Sequence, residues 1–490
     1  MTGAACNFAG GPFSWPCGTF RICLFNPVLR AYVLPIAMQR MERFMPALEH
    51  LTDALLTAAR NAGATSADAI AVSGTAVSIE TRAGKLEQAE RSESIEIGLR
   101  VLIGGRQACV SASDVSDRTI AALAERAVAM AREAPVDPHA GLADAAQLAR
   151  NLDAAALELY DPAPEPDAAT LEADARGAEA AALAHAGITQ VEAGAGYSAR
   201  TMHIAASNGF AGGYGRTSRS LSAVAFTGTG TGMERDYAGE GRVYQADMPG
   251  AAGIGSLAAE RALARAGAVK PVTGTYPVLF DERVAASLIG HLISAINGAA
   301  IARGASWLKD AMGSQVLPSG LSVVEDPHRV RIGSSRPFDA EGLPTQRRAF
   351  VQDGVLTSWV LDLATGRKLG LSSTANAGRG TSSPPSPGTS NVDLTQGVAT
   401  RDDLISAMGT GLLVTSMIGS TINPTTGDYS RGAAGFWVQN GVISHPVNEC
   451  TIAGNLRDML LRIVPANDAR AHLSFRVPSL LVDGMTLAGA

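Results

Sequence analysis

The chain has 490 residues, of which 46% are hydrophobic and 18% are charged, so it has enough apolar material for two or three packed domains. Its formal net charge of -6 argues against a protein that binds nucleic acid directly through a basic surface. The five cysteines are too widely spaced for a disulfide framework or a zinc knuckle. We therefore expect reduced thiols and a cytoplasmic protein, and no segment is apolar enough to predict a membrane span.

Residues 1–45 form an unusual N-terminal segment. Their apolar part is interrupted by Pro27, Arg30 and Pro35, so it lacks the continuous apolar run of a signal peptide or a membrane helix. We interpret 1–45 as a disordered segment or as a start assigned too early. In the second case the first residue is one of three later methionines: Met38, Met41 or Met45.

Residues 46–150 predict an N-terminal mixed α/β domain. Apolar residues recur at helical spacing over 51–62, and apolar and polar residues alternate over 95–101 as in a half-buried strand. Gly104-Gly105 then predicts a hairpin turn, and Ser116 predicts the cap of a second helix.

Residues 151–270 predict a central domain, in which a helix covers 167–185 and Asn208-Gly209 marks a hairpin turn. Residues 271–490 predict a β-rich C-terminal domain, because short strands there alternate with turn signals. Those signals are Asp353-Gly354, Asn440-Gly441 and Asp483-Gly484. The predicted fold class is therefore α+β.

No complete catalytic or cofactor-binding motif stands out. The Gly-rich runs 194–196 and 228–232 are not followed by a convincing helix, so we interpret them as flexible strand ends and not as phosphate loops. The eight histidines are scattered, and neither H-E-x-x-H nor G-x-S-x-G occurs. The sequence thus predicts no catalytic, cofactor-binding or metal-binding residue on this chain.

A distinctive run lies between Gly427 and Trp437. It places Asp428, Tyr429 and Arg431 in a turn bounded by glycines, and charged or aromatic residues beside Gly often serve recognition at loop tips. The alternative is a packed turn in which Arg431 makes a structural ion pair.

Several runs, taken in order, resemble the PmbA/TldE branch of the TldD/PmbA family, once described as modulators of DNA gyrase. The resemblance extends from about residue 48 to the end of the chain. Its phrases include RVAASLIGHLISAI (283–296), DAEG (339–342), INPTTGDYSR (422–431), TIAGNL (451–456) and PSLLVDGM (478–485).

The resemblance implies a heteromeric TldD/TldE zinc metalloprotease that degrades or processes unfolded proteins and short peptides. In such an enzyme the TldD-type subunit holds zinc through an H-E-x-x-x-H helix and a cysteine near its C-terminus. The chain described here resembles the other, TldE-type subunit. The resemblance therefore implies a TldD-type partner, no zinc on this chain and zinc on that partner.

The zinc helix can be matched to this chain in two registers. If its Gly-His corresponds to Gly290-His291, the first ligand position is Ala286 and the Glu position is Ser287. If the preceding strand sets the register, the Glu position is His291 and the second ligand position is Ala295. Both registers lose the Glu that would act as general base and leave at most one ligand. The resemblance thus marks His291 as a vestigial zinc-helix position.

Three functions stay open at this point. A non-catalytic metalloprotease subunit would use Asp428, Tyr429 and Arg431 as contacts to a peptide or to the partner. An adaptor of the gyrase-modulator type would act without proteolysis. An independent hydrolase with an unrecognised site would keep its activity in the presence of a chelator.

Overall fold

The computed structural model describes residues 36–490, except for the side chains of residues 36–46, 420 and 421. Residues 1–35 lie outside the described residues, so for them the interpretation of the 1–45 segment stays a prediction. Residues 36–45 belong to a helix that continues to Asn61, so the first predicted helix begins earlier than expected. Within the described chain, no helix is long and apolar enough to cross a membrane.

The described chain alternates helices with strands. Its helices are α1 (Ile36–Asn61), α2 (Asp117–Glu133), α3 (Ala168–Leu183), α4 (Ala251–Ala264), α5 (Glu282–Ala295), α6 (Gly298–Ala302), α7 (Leu363–Lys368), α8 (Arg401–Met408) and α9 (Leu456–Leu460). Its strands are β1 (Ser66–Arg82), β2 (Lys85–Ile103), β3 (Arg106–Ala112), β4 (Ile188–Ala206), β5 (Ala211–Thr227), β6 (Glu234–Arg242), β7 (Gly274–Phe280), β8 (Val323–Glu325), β9 (Arg348–Gln352), β10 (Val355–Leu356), β11 (Ala377–Gly378), β12 (Ser386–Pro387), β13 (Val392–Leu394), β14 (Gly411–Ile422), β15 (Asp428–Gln439), β16 (Val442–Asn455), β17 (Ile463–Pro465), β18 (Phe475–Arg476) and β19 (Leu480–Ala488). The predicted α+β class is confirmed.

A six-stranded antiparallel sheet with the order β3-β2-β1-β4-β5-β6 occupies the N-terminal half of the described chain. It contains strands from both the predicted 46–150 and 151–270 segments, because β1 pairs with β4 along its length. The domain boundaries themselves stay a prediction. One expectation is wrong: the Gly-rich run 194–196 lies in the interior of β4 and is not a strand end.

Helices cover most of one face of this sheet, except along the first half of β2, where residues 85–94 are exposed. At one end α1 and α2 pack over residues such as Ile97 and Leu99. At the other end α3 and α4 pack over Ile79 and Ala223. The opposite face is covered at one end only, in an apolar cluster that contains Ile70, Ile204, Leu157, Tyr214 and Phe338. Since successive side chains of a strand point to opposite faces of the sheet, each long strand places alternate residues under the helices and on the opposite face.

The C-terminal part is built on a closed sheet. Its strands follow the order β16-β15-β14-β7-β19-β17, and a further pairing of β16 with β19 completes the ring. The interior packs against α5 in one apolar cluster that contains Phe280, Leu288, Leu412 and Leu480. A smaller sheet in the same part of the chain has the strand order β10-β9-β8-β13-β18.

Buried ion pairs hold the N-terminal sheet to the C-terminal part. Asp68 on β1 accepts a hydrogen bond from Arg100 Nε at 2.7 Å and another from the guanidinium of Arg379. Arg283, at the start of α5, forms an ion pair with Asp236 on β6, with 3.0 Å between Nη1 and Oδ1. Because these charges are buried, each depends on its partner to compensate for the loss of water.

Candidate functional site

Helix α5 positions the candidate site. It follows β7 directly, and its first turn is capped by Asp281, whose carboxylate accepts from the backbone N–H of Arg283 at 3.2 Å. Leu288, Ile289 and Leu292 bury one side of the helix against the closed sheet. This packing fixes the orientation of the neighbouring His291.

His291 lies half-buried beside the β14–β15 hairpin. Its ring meets the ring of Tyr429 edge to face, with 6.0 Å between centroids and 71° between planes. Burial and, to a smaller degree, the charge of Arg431 lower the pKa of His291 to about 4. Its Nε2 is buried and has no hydrogen-bond partner among the described residues. At neutral pH the site therefore presents a neutral imidazole with one unpaired nitrogen.

Tyr429 and Arg431 complete the surroundings of His291. Tyr429 is only 2% exposed, and its hydroxyl donates to Sδ of Met417 at 3.3 Å. Burial raises the pKa of Tyr429 to about 12, so the phenol keeps its proton. Arg431 donates from Nε to the carbonyl oxygen of Gly419 at 2.8 Å, a backbone anchor where an ion pair was the alternative expectation.

The predicted trio of Asp428, Tyr429 and Arg431 is divided by the structure. These residues begin strand β15 and do not occupy the preceding turn, because Tyr429 pairs with Gly454 on β16. Alternation along the strand sends Tyr429 and Arg431 toward His291 and leaves Asp428 exposed on the other side. There Asp428 accepts from Thr426 Oγ1 at 2.6 Å, a bond that helps to lower the pKa of Asp428.

The residues around His291 do not fit a zinc site. An aromatic ring and a guanidinium group are its neighbours, and a zinc ion requires several nitrogen, sulfur or carboxylate donors around one point. In the part of the chain that the structure describes, no group of three or more His, Cys, Asp or Glu is arranged to hold a metal. The buried Cys450 donates its thiol to the carbonyl oxygen of Ala433 at 3.2 Å, and burial raises its pKa to about 11.

Sequence reasoning missed a second group of titratable side chains. Asp339 is 1% exposed and accepts backbone hydrogen bonds from Leu343 and Ala377, both at 3.0 Å. Burial, followed by the charges of Asp339 and Asp362, raises the pKa of Glu341 well above its usual value. The phrase DAEG at 339–342 was visible in the sequence, but nothing in it indicated that Asp339 is buried or that the pKa of Glu341 is raised.

Comparisons with known proteins place the chain in a family. Residues 67–131 match PmbA/TldA metallopeptidase domain 1, residues 137–266 match the central domain, and residues 273–489 match the C-terminal domain. The chain is 37% identical to metalloprotease PmbA of Escherichia coli O157:H7 over 460 residues, which are 93% of this chain and 100% of that protein.

Solved structures agree with this placement. A Bacteroides thetaiotaomicron protein described as a modulator of DNA gyrase superposes with a TM-score of 0.82 at 27% identity, over 90% of this chain and 99% of its own. TldE of Thermococcus kodakarensis shares the fold, with a TM-score of 0.77 at 16% identity over 90% of this chain and 100% of its own. The chain belongs to the PmbA/TldD metallopeptidase family, as a member of its PmbA/TldE type.

Proposed function

We propose that this chain is the TldE/PmbA-type subunit of a heteromeric TldD/TldE zinc metalloprotease that degrades or processes unfolded proteins and short peptides. In this assembly the zinc and the catalytic residues belong to the TldD-type partner. The present chain contributes binding surface and encloses the site.

The surroundings of His291 carry the proposal. Its neighbours are Tyr429 and the guanidinium of Arg431, and a positive charge so close opposes a second positive charge from a metal. A neutral imidazole and a protonated phenol offer no negatively charged donor to a metal ion. These groups therefore do not suit a site that activates water on a metal ion.

Asp428 and Arg431 are the candidate contacts to the partner or to a peptide. Asp428 is exposed, and Arg431 is half-buried and anchored by one nitrogen. Tyr429 is buried in the isolated chain, so we assign it the role of supporting His291 and Arg431 from the core.

The proposal is tested by purifying this chain together with a TldD-type chain of the same cell. We expect a stable complex with about one zinc per heterodimer, no zinc on this chain alone, and peptidase activity only in the complex. Zinc on the isolated chain, or activity of the isolated chain that survives a chelator, would contradict it.

The site residues are tested with Arg431→Ala in the same complex, and Arg457→Ala, an exposed arginine of α9, is the matched control. We expect Arg431→Ala to weaken assembly or raise the KM for peptide and the control to do neither. If Arg431→Ala leaves both unchanged, Arg431 is no contact.

A second function follows from the description of one structural relative as a modulator of DNA gyrase. In that function the chain is an adaptor that acts without proteolysis. Co-purification with a gyrase subunit in cells that lack any TldD-type chain would favour the adaptor over the protease subunit.

A further inference from the structure

An open cavity of about 490 Å³ lies between the segment that follows α2 and two short helices of the C-terminal part. Residues 136–139 form one side of this cavity, and α6 and α7 form the other. Small-molecule sites in proteins occupy about 300–1,000 Å³, so the space is sufficient for a small ligand. None of the three residues described above, His291, Tyr429 and Arg431, lines this cavity.

Close contacts within the fold hold the two sides of the cavity in place. The guanidinium of Arg367 on α7 donates to the carbonyl oxygens of His139 at 3.1 Å and Leu142 at 2.6 Å. Gly298 lets α6 approach α7, because a Cβ atom there would lie 2.8 Å from Thr365 Oγ1. The cavity is therefore preformed, and a ligand does not lose binding energy in ordering it.

Small apolar residues keep the space between these elements open. Ala299 and Ala302 lie one turn apart on α6, and Ala364 on α7 lines the same cavity. All three are half-buried, and Val136 adds a larger apolar side chain from the opposite side. The cavity thus offers apolar contact as well as room, as ligand sites in proteins commonly do.

Charges of both signs line the cavity and do not pair with each other. Arg303 follows the last residue of α6 and Lys368 ends α7, and neither side chain makes a hydrogen bond or an ion pair with another described residue. Asp137 accepts a hydrogen bond from the backbone N–H of His139 at 3.0 Å through one carboxylate oxygen. It also forms no ion pair among the described residues. One carboxylate and two cations are therefore available to a ligand in the same cavity.

A lining with both signs of charge is complementary to a zwitterion. A carboxylate attracts an ammonium group, and Arg and Lys attract a carboxylate, so a ligand that carries both groups satisfies every charge of the cavity. A simple anion would meet the like charge of Asp137, and a simple cation would meet those of Arg303 and Lys368. The half-buried His139 adds an imidazole that can form a hydrogen bond with the same ligand.

We propose that this cavity binds a short peptide with free termini, whose ammonium group contacts Asp137 and whose terminal carboxylate contacts Arg303 and Lys368. The choice of a peptide among zwitterions rests on the proposed function, because proteolysis leaves short fragments with both termini free. At about 3.3 Å per residue, the termini of an extended dipeptide are about 7 Å apart. They can therefore reach opposite charges that lie too far apart to pair with each other.

The test uses the purified full chain without a partner, in a saturation-transfer NMR titration at neutral pH. The ligands are alanyl-alanine, its N-acetylated form, its C-terminal amide and free alanine. We expect alanyl-alanine to bind and each capped form to bind about tenfold more weakly, because each cap removes one charge-assisted contact. Free alanine should also bind about tenfold more weakly, because its two charged groups are too close together to reach both sides of the cavity.

Three variants locate the site. Asp137→Asn keeps an oxygen that can accept from the backbone N–H of His139 but removes the charge. We expect an unchanged melting temperature, about tenfold weaker binding of alanyl-alanine and no further loss when that ligand is N-acetylated. Lys368→Gln should likewise reduce the discrimination against the C-terminal amide. Ala302→Leu fills the cavity with a residue that favours helix, so we expect loss of binding without loss of thermal stability.

The matched controls are Asp310→Asn and Lys309→Gln. Both residues are exposed and lie outside the lining of the cavity. These variants remove the same charges at nearby positions, so they should bind alanyl-alanine like the original chain.

Several results would overturn the proposal: no binding of alanyl-alanine, binding of a capped form as tight as that of the free dipeptide, normal binding by Ala302→Leu, or equal losses in Asp137→Asn and Asp310→Asn. Alanine that binds as tightly as the dipeptide would assign the cavity to free amino acids and overturn the choice of a peptide. The assay needs no partner, so its outcome is separate from that of the proposed function. An active complex whose present chain binds no dipeptide would refute this inference alone, and a chain that binds the dipeptide but forms no complex would refute only the proposed function.

Discussion

The substitution Asp68→Asn tests the buried ion cluster that joins the N-terminal sheet to the C-terminal part. Asp68 and Arg100 are each 4% exposed, and the side chain of Arg379 is fully buried. The amide of Asn has nearly the volume of the carboxylate, so the change removes charge without opening a cavity. It leaves two buried guanidinium groups without their anion, for which we expect a loss of about 3–5 kcal/mol in the free energy of unfolding.

The assay for Asp68→Asn is urea denaturation, with the slope of the transition checked for constancy. The matched control is Glu449→Gln, because Glu449 and Lys270 form a pair at 3.2 Å whose side chains are 68% and 52% exposed. An exposed pair contributes about 0–1 kcal/mol, so the control should lose no more than that. Equal losses in the two variants would refute the argument that burial makes this carboxylate indispensable.

The pH dependence of stability gives an independent measure of the same cluster. Burial by itself would raise the pKa of Asp68, but Arg100 and Arg379 hold it below the ordinary value of 3.8. The carboxylate therefore stabilises the fold above pH 3.8, and this contribution is lost as the pH falls through the lower folded pKa. The Asn variant should lose less stability than the original chain on acidification below pH 4.

Three further predictions concern single residues. Burial and the charges of Asp339 and Asp362 raise the pKa of Glu341, so the free energy of unfolding should fall as the pH rises above 4.5. Glu341→Gln should make this fall smaller, as measured by urea midpoints across neutral pH. The pKa of His291 is lowered from 6.5 to about 4, so on acidification the unfolded chain binds the proton at a higher pH than the folded chain. The free energy of unfolding should therefore fall between pH 6.5 and 4, and His291→Gln should remove that fall. A Cβ atom at Gly435 would lie 1.9 Å from the carbonyl oxygen of Leu413, so Gly435→Ala should lower the melting temperature strongly, whereas Gly290→Ala, with open space around it, should not.

Local sequence patterns predicted helix α2 well. Ser116 does accept a hydrogen bond from Thr119 N, and Ile120, Leu123 and Val128 form the buried side of the helix. The Asn208-Gly209 turn also joins β4 to β5 as expected. Each of these features depends on residues that lie close together in the sequence, so local sequence patterns are sufficient to predict it.

Long-range pairing lay outside what local patterns contain. The sequence showed alternation over 95–101, but β2 extends from Lys85 because β1 pairs with it over its whole length. The run 194–196 looked like a strand end because glycine is a poor strand former. Pairing with neighbours on both sides holds it inside β4 nevertheless.

The candidate site depends both on residue identities, which the sequence gives directly, and on strand pairing, which local patterns do not contain. The family resemblance follows from the sequence alone, as does the loss of the catalytic Glu, because either Ser287 or His291 stands at its position in the two registers. That Tyr429 and Arg431 lie beside His291 while Asp428 faces away follows from the three-dimensional fold. Pairing of β15 with β16 assigns alternate side chains to opposite faces of the sheet, and the fold then brings one of these faces to α5, which lies more than a hundred residues earlier in the chain.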